Sequence, residues 1–304
     1  MVYVDSGSTD DSVEFARSLN VDVVDLDLSR PFTMARGRNA GFYRLHEQYP
    51  DIEYVQFVDG DCEVAVGWIP AAKATLECQA NVVAVCGRRR EQAPHASRFN
   101  LLCDLEWDKA PGDTLSCGGD AMFRVGPLQD VGGYNEYMIA GEEGDLCFRL
   151  RGLGWKILRI NHEMTRHDAA ITSWSQWIKR AIRGGHAFAE GAHLHGQSKE
   201  RYSVRSTRSA LFWGALVPLF CILMLVAAFF YHPLCMLALA ILLSGYLILG
   251  YRVYRESRCR GRRWGLSLMN AWFCIIAKIP EAIGVLQFWI NRLFGKRSQL
   301  IEYK

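Results

Sequence analysis

No two of the ten cysteines are spaced as C-x-x-C, so the chain carries no dithiol motif of that kind. They are scattered at Cys62, Cys78, Cys86, Cys103, Cys117, Cys147, Cys221, Cys235, Cys259 and Cys274. Two lie inside apolar runs, which reads as reduced thiol used as a small hydrophobe. A disulfide framework needs a secreted chain, and no signal peptide is visible, so a cytosolic catalytic face is expected. Strong charge of one sign is also missing. A net charge of +3, with no basic stripe interleaved with aromatics in the first half, argues against a nucleic-acid partner.

Charge is absent altogether from two long runs. Residues 211–231 read LFWGALVPLFCILMLVAAFFY, and residues 234–251 form a second uncharged run. About 20 apolar residues in a helix span the hydrocarbon layer. His232-Pro233 breaks the run, which predicts a hairpin of two transmembrane helices. Arg201, Arg205 and Arg208 precede it, and Arg252, Arg255, Arg258, Arg260, Arg262 and Arg263 follow it. The positive-inside rule then puts both ends in the cytoplasm, at an inner or plasma membrane. The spans hold no ionisable group except His232 at the turn, which disfavours a transport pathway. A third apolar stretch, 264–290, is interrupted by Lys278, Pro280 and Glu281, and is flanked by Arg292, Lys296 and Arg297. It is expected to lie in the cytoplasmic interface rather than to cross.

Before the membrane part, short β-rich runs alternate with helical patterns. Strands are predicted at 2–4, 21–26, 54–58, 82–86, 121–125 and 155–160, and helices at 10–19, 35–48, 69–79 and 144–153. The pattern predicts an α/β fold with a mixed, mostly parallel sheet flanked by helices, whose ligands bind beyond strand ends. The expected division is a catalytic domain at 1–170, a juxtamembrane amphipathic segment at 171–209, the hairpin at 210–252 and a basic tail at 253–304.

Acidic motifs follow the strands. In Asp5-Ser6-Gly7-Ser8-Thr9-Asp10, Gly7 serves the turn and Ser8, Thr9 or Asp10 can cap a helix. Asp5 reads as the residue the turn does not need, available to a nucleobase or ribose. In Val58-Asp59-Gly60-Asp61, two carboxylates one residue apart repel unless a cation or water separates them. Hard oxygens suit Mg²⁺ or Mn²⁺. Gly141-Glu142-Glu143-Gly144-Asp145 carries more carboxylates than helix capping needs, so a general base is expected there. Gly118-Gly119-Asp120 lets backbone approach a ligand. Arg36 and Arg38 can contact phosphate or base. His167 is a candidate metal ligand, although a lone histidine is more often structural.

Taken in order, DSGSTD, RGRNAG, VDGD, GGDAMFR, VGGYNE and GEEGDLCFRLRGLGWKI resemble the inverting glycosyltransferase family 2, over roughly residues 1–200. The resemblance implies a GT-A-like fold, a nucleotide-sugar donor and a lipid-linked or saccharide acceptor. It implies Asp5, Ser8, Arg38, Asn39 and Asp59 at the nucleotide, and Asp61, Asp59 and His167 at the metal. Gly118, Gly119, Asp120 and Arg180 would serve donor and acceptor. Glu143 falls where the family usually has an aspartate base, and the choice between Glu143 and Glu142 stays open.

Two departures stand beside the resemblance. The family domain normally has a strand and loop ahead of the DSGSTD-type motif, so a first strand is expected to be missing. The residues of a processive Q-x-x-R-W motif occur around Gln176 and Arg180 with the wrong spacing, which favours addition of one sugar. Trp174, Trp177, Ile178 and Ile182, with Lys179, Arg180 and Arg183, predict an amphipathic helix at the membrane surface. The competing readings are a sugar nucleotidyltransferase and a non-catalytic membrane protein built on a degenerate transferase domain.

Overall fold

The computed structural model describes residues 1–296 and 298–302; Arg297 lies outside them. It divides into a first unit, Met1–Ser173, and a second that begins at Trp174.

The first unit contains eight strands: β1 (Val2–Asp5), β2 (Asp22–Asp25), β3 (Tyr54–Phe57), β4 (Cys62–Val64), β5 (Val82–Glu91), β6 (Gly112–Thr114), β7 (Ala121–Arg124) and β8 (Lys156–His167). Its helices are α1 (Ser12–Ser18), α2 (Met34–Gln48), α3 (Trp68–Cys78), α4 (Arg98–Trp107), α5 (Val125–Asp130) and α6 (Glu142–Gly152). The larger sheet runs β3-β7-β5-β8-β4, with β6 also on β8, and β1-β2 form a separate two-stranded ribbon.

The sheet is mixed, as expected, but its parallel pairs are the minority rather than the majority expected. Only β1–β2 and β5–β8 pair in parallel. The β3–β7, β5–β7, β4–β8 and β6–β8 pairs are antiparallel. β3, β5 and β8 run one way, and β4, β6 and β7 run against them. The chain turns back from β3 into β4 over residues 58–61 with no helix between them, whereas a parallel neighbour needs a crossover.

Several predicted elements hold with shifts at their ends. Helix α2 starts where Thr33 accepts a hydrogen bond from the Arg36 N–H at 3.2 Å. Helix α4 was not predicted; Ser97 caps it by accepting from the N–H groups of Phe99 and Asn100 at 3.1 and 2.9 Å. Strands β5 and β8 run well past their apolar halves. Their polar tails pair with each other, Arg89 opposite Thr165 and Glu91 opposite His167. Core side chains such as Trp68, Leu76, Phe123, Leu146 and Leu150 are fully buried between the sheet and its helices.

β1 and β3 each have one edge without a strand partner among the described residues. A cavity of about 460 Å³ lies between them, lined by consecutive residues of both strands. Consecutive residues mean that the strands meet it edge-on, since a strand face would offer only alternate ones.

The second unit contains α7 (Trp174–His195), α8 (Val204–Leu211), a π-helical turn (Phe212–Leu216), α9 (Val217–Phe230), α10 (Cys235–Cys259), α11 (Trp264–Ile276) and α12 (Lys278–Leu293). The π turn stands just before Pro218, which has no N–H to continue the α pattern. Among the described residues, three helical segments are long and apolar enough to cross a membrane: Val204–Phe230, Cys235–Cys259 and Trp264–Leu293. The sequence counted two. The third qualifies even though Lys278 and Glu281 sit inside it, and these two pair at 2.6 Å across one helical turn. Helix α7 is not a bare surface helix. Trp174 and Trp177 both pack on Phe273, at 5.4 and 5.2 Å between ring centroids. Gly185 and Gly284 let α7 and α12 approach to backbone contact, where a side chain at either position would strike Glu281 or Ile182 carbonyl oxygen.

His186 is buried at this α7–α12 seam. Burial pushes its pKa down to about 4, and the Glu190 carboxylate stands 3.6 Å away one turn on. Between that value and about 6.5 the unfolded chain binds more protons than the folded one. The stability tied to a neutral His186 is therefore complete above pH 6.5 and is lost as pH falls towards 4. Thermal unfolding of the full chain in detergent should show this slope, and His186→Leu should flatten it. Coincident slopes in the two proteins would rule the assignment out.

Candidate functional site

The site is built where β1, β3, β5 and β8 end and β7 begins. Asp5 closes β1 and is 6% exposed. Its carboxylate accepts from the N–H groups of Gly7 at 2.8 Å and Ser8 at 3.1 Å. The Ser8 side chain and then these amides hold its pKa below the usual carboxylate range against the opposing effect of burial. The turn thus does use Asp5, contrary to the sequence reading. Ser8 itself is exposed beside it on the cavity wall.

Arg38, on the first turns of α2, links the acidic motifs. Its Nη2 donates to Asp59 Oδ1 at 2.7 Å, and its Nη1 lies 2.8 Å from Glu142 Oε1 and 3.3 Å from Glu143 Oε1. The guanidinium also stands over the Tyr134 ring, 5.4 Å from its centroid. Burial works against the charge on Arg38, but Asp59, Glu143 and Glu142 outweigh it and raise its pKa well above the ordinary value. The effect on Asp59 is reciprocal: burial opposes ionisation, and Arg38 and Arg89 overcome it and lower its pKa.

The two glutamates of α6 differ. The Glu142 side chain is 3% exposed and the Glu143 side chain 23%. Only Glu143 therefore presents appreciable carboxylate surface to the cleft.

Asp120 is fully buried and stands behind the site. Its Oδ1 accepts from the Asp59 N–H at 3.0 Å. Its Oδ2 accepts from Thr165 Oγ1 at 2.7 Å and the Cys62 thiol at 3.3 Å, and pairs with Arg89 Nη2 at 2.6 Å. Burial pushes the Cys62 thiol far up, which keeps it neutral and a donor. Gly119 is packed on the Arg38–Asp59 pair. A Cβ there would strike Arg38 Nη2 and lie 2.6 Å from Asp59 Oδ2.

Asn39 and Arg36 are turned elsewhere. The Asn39 amide donates to Tyr134 O at 2.8 Å and accepts from Tyr134 N–H at 2.9 Å, clipping α2 to the loop that precedes α6. Arg36 donates to the carbonyls of Arg30 and Pro31, both at 2.8 Å. Arg180 lies on α7 in the second unit and is half-buried. Sequence reasoning missed Arg89 and Trp107. Arg89 stands 3.4 Å from Asp59 Oδ2 and over Trp107, 5.6 Å from its ring centroid. Trp107 in turn meets the His167 ring edge-on at 4.6 Å.

Asp59, Asp61, Cys62 and His167 each offer a ligand atom, all within 4.8 Å of one another. His167 Nε2 lies 3.2 Å from Asp61 Oδ1, and its Nδ1 is buried with no hydrogen-bond partner. Two carboxylates and an imidazole fit a hard divalent cation. The neutral thiol, already committed to Asp120, contributes least.

Residues 1–129 match the family described as Glycosyl transferase family 2. A stretch of 149 residues is 30% identical to the pre-mycofactocin glycosyltransferase of Mycobacterium tuberculosis, covering 44% of this chain and 31% of that protein. The chain thus spans under a third of the length of that relative. Among solved structures, the chain is similar to the mannosyltransferase PcManGT from Pyrobaculum calidifontis, solved with GDP-Man and Mn²⁺. The TM-score is 0.56 at 17% identity, over 93% of this chain and 77% of that one. That likeness fixes the GT-A-like fold, with its mixed sheet and flanking helices. The family match runs from β1 through β7 into α5, so it covers the strands and loops that carry Asp5, Arg38, Asp59, Asp61 and Gly118-Gly119.

Proposed function

We propose that the chain transfers a sugar from a nucleotide-sugar donor to a hydroxyl of a lipid-linked or saccharide acceptor, with Mg²⁺ or Mn²⁺ and with inversion. The observation that carries this reading is Arg38. One guanidinium joins the Asp59 carboxylate to the Glu142–Glu143 pair, so the cation-binding motif and the acidic motif share one cleft. The polar wall of the cavity, with Asp5, Ser8, Arg38 and Asp59, is the nucleotide side.

Asp61 and His167, with Asp59, would hold the cation, which supplies positive charge against the departing diphosphate. Glu143 takes the proton from the acceptor hydroxyl, because its carboxylate is the more exposed of the pair. The acceptor oxygen then attacks the anomeric carbon from the side opposite the nucleoside diphosphate. Glu142 stays on Arg38 and fixes the start of α6. Gly118 and Gly119 line the donor-sugar and acceptor side. The apolar helices hold the chain to an inner or plasma membrane, with the catalytic unit cytoplasmic, where a lipid-linked acceptor would be met. Arg180 and its neighbours on α7 would face that acceptor's charged head.

The test is the full chain in detergent, with Mn²⁺, a panel of UDP- and GDP-sugars, and polyprenyl phosphate or a saccharide. Release of nucleoside diphosphate that depends on acceptor and cation is the expected result. Release of pyrophosphate from sugar phosphate and nucleoside triphosphate would instead make the chain a nucleotidyltransferase. Binding of no nucleotide with or without Mn²⁺ would favour the non-catalytic reading.

A further inference from the structure

We infer that Arg89 and Arg38 together form a clamp for a diphosphate group, and that the Asp59 carboxylate occupies this clamp until the diphosphate arrives. The inference rests on the sugar-transfer reading and adds to it a binding residue, Arg89, that lies in none of the sequence motifs.

The geometry is that of one anion held between two guanidiniums. Asp59 Oδ1 is 2.7 Å from Arg38 Nη2, and Asp59 Oδ2 is 3.4 Å from Arg89 Nη2. Each guanidinium is backed by an aromatic ring, Tyr134 behind Arg38 and Trp107 behind Arg89. Arg89 is further fixed by Asp120 at 2.6 Å, a carboxylate with no exposed surface that cannot itself leave. Both cations are therefore set in place before any ligand binds. Their pKa values are raised, so both stay charged at any working pH.

The approach to the clamp is open in a specific way. Gly119 lies against Arg38 and Asp59, where any Cβ would collide. A Cβ at Gly118 would sit 3.6 Å from Arg89 Nη2. Two consecutive glycines thus line the two guanidiniums, and neither puts a side chain over them. The side chains of Arg38, Asp59 and Arg89 remain 11, 26 and 14% exposed, which leaves all three reachable from the cleft.

A single carboxylate is a modest partner for two guanidiniums. A diphosphate carries more charge and more acceptor oxygens, spread over two phosphorus centres, and guanidinium forks match phosphate oxygens well. It therefore displaces Asp59 from the clamp. A nucleotide sugar and a prenyl diphosphate share this chemistry, and the experiment separates them.

Titration calorimetry on the full chain in detergent would use four probes: Mn²⁺ alone, then UDP, GDP and farnesyl diphosphate, each with Mn²⁺. In Arg89→Gln, diphosphate affinity should fall at least ten-fold, while affinity for Mn²⁺ alone is unchanged or tighter, because a positive charge has gone. Arg89→Lys should recover part of the loss, as a point charge without the fork. Loss for UDP or GDP assigns the clamp to the donor, and loss for farnesyl diphosphate alone assigns it to a lipid ligand. Equal weakening of Mn²⁺ and diphosphate would show Arg89 to be only structural and overturn the inference. So would unchanged diphosphate affinity. If Arg89→Gln fails to fold with Asp120 left unpaired, Arg89→Gln/Asp120→Asn removes both charges together and is held to the same two outcomes. A parent chain that binds no diphosphate at all overturns the clamp and the sugar-transfer reading together. A parent that binds, with variants that bind equally well, overturns the clamp alone.

Discussion

Glu143→Gln should lower kcat by about 10²- to 10⁴-fold, the usual contribution of a positioned general base. Nucleoside diphosphate affinity should stay within about two-fold, since the amide keeps the shape and the hydrogen bonding of the group. The expectation follows from the difference between neighbours. Glu143 has 23% of its side chain exposed and a 3.3 Å contact with Arg38, while Glu142 is 3% exposed and sits closer, at 2.8 Å. Glu142→Gln should therefore act mainly on stability and on the placing of Arg38, with a smaller loss in kcat. Steady-state rates for the two variants, with donor affinity measured separately, decide the matter. If Glu142→Gln shows the large kcat loss and Glu143→Gln is near the parent, the roles are exchanged.

Arg38→Met should be the most destabilising single change in the cleft, by about 3–5 kcal/mol, the cost of leaving buried charge without its partner. Three carboxylates converge on that guanidinium, and Glu142 has almost no access to water. Removing the cation leaves them to repel one another across a few ångströms. The Met side chain preserves much of the packing against Tyr134, so the loss reports charge rather than volume. Denaturant or thermal unfolding of the full chain would measure it. Adding Glu142→Gln to Arg38→Met should recover a clear part of the loss, because contacting residues couple. Additive effects of the two changes would mean that Arg38 acts through something other than the acidic pair.

Much of this cleft was legible in the sequence, and the reason is geometric. VDGD follows the end of β3 and GEEGD opens α6, so local pattern alone places their carboxylates at the rim. What could not be read came from the tail of β5. Arg88-Arg89-Arg90 has no apolar alternation, and it extends the sheet by pairing with the tail of β8, which β4 flanks on its other side. Arg89 reaches the site on that tail, and His167, picked out by residue type, reaches it on the tail of β8. Helix α4, which supplies Trp107, has a polar, uneven pattern and was passed over for the same reason. Asn39 was misleading in the other direction. Its motif pointed to the nucleotide, but a buried amide seeks full hydrogen bonding, and the Tyr134 backbone provides it. The third apolar helix was discounted on residue type, since a sequence shows Lys278 and Glu281 as two charges and the fold shows them as one neutral pair.

The gap between β1 and β3 has a cost in behaviour as well as in shape. Among the described residues, no strand neighbours the main-chain amides and carbonyls along its two sides, and such rows are ready templates for any extended polypeptide. A peptide lying there would add hydrogen bonds on two flanks at once and weld the ribbon to the main sheet. The same space borders Asp5, Arg38 and Asp59, so whatever stiffens it also stiffens the floor on which a base would rest. Left unfilled, this fissure is where the first unit should yield soonest to heat and proteases, and where concentrated protein should begin to cohere.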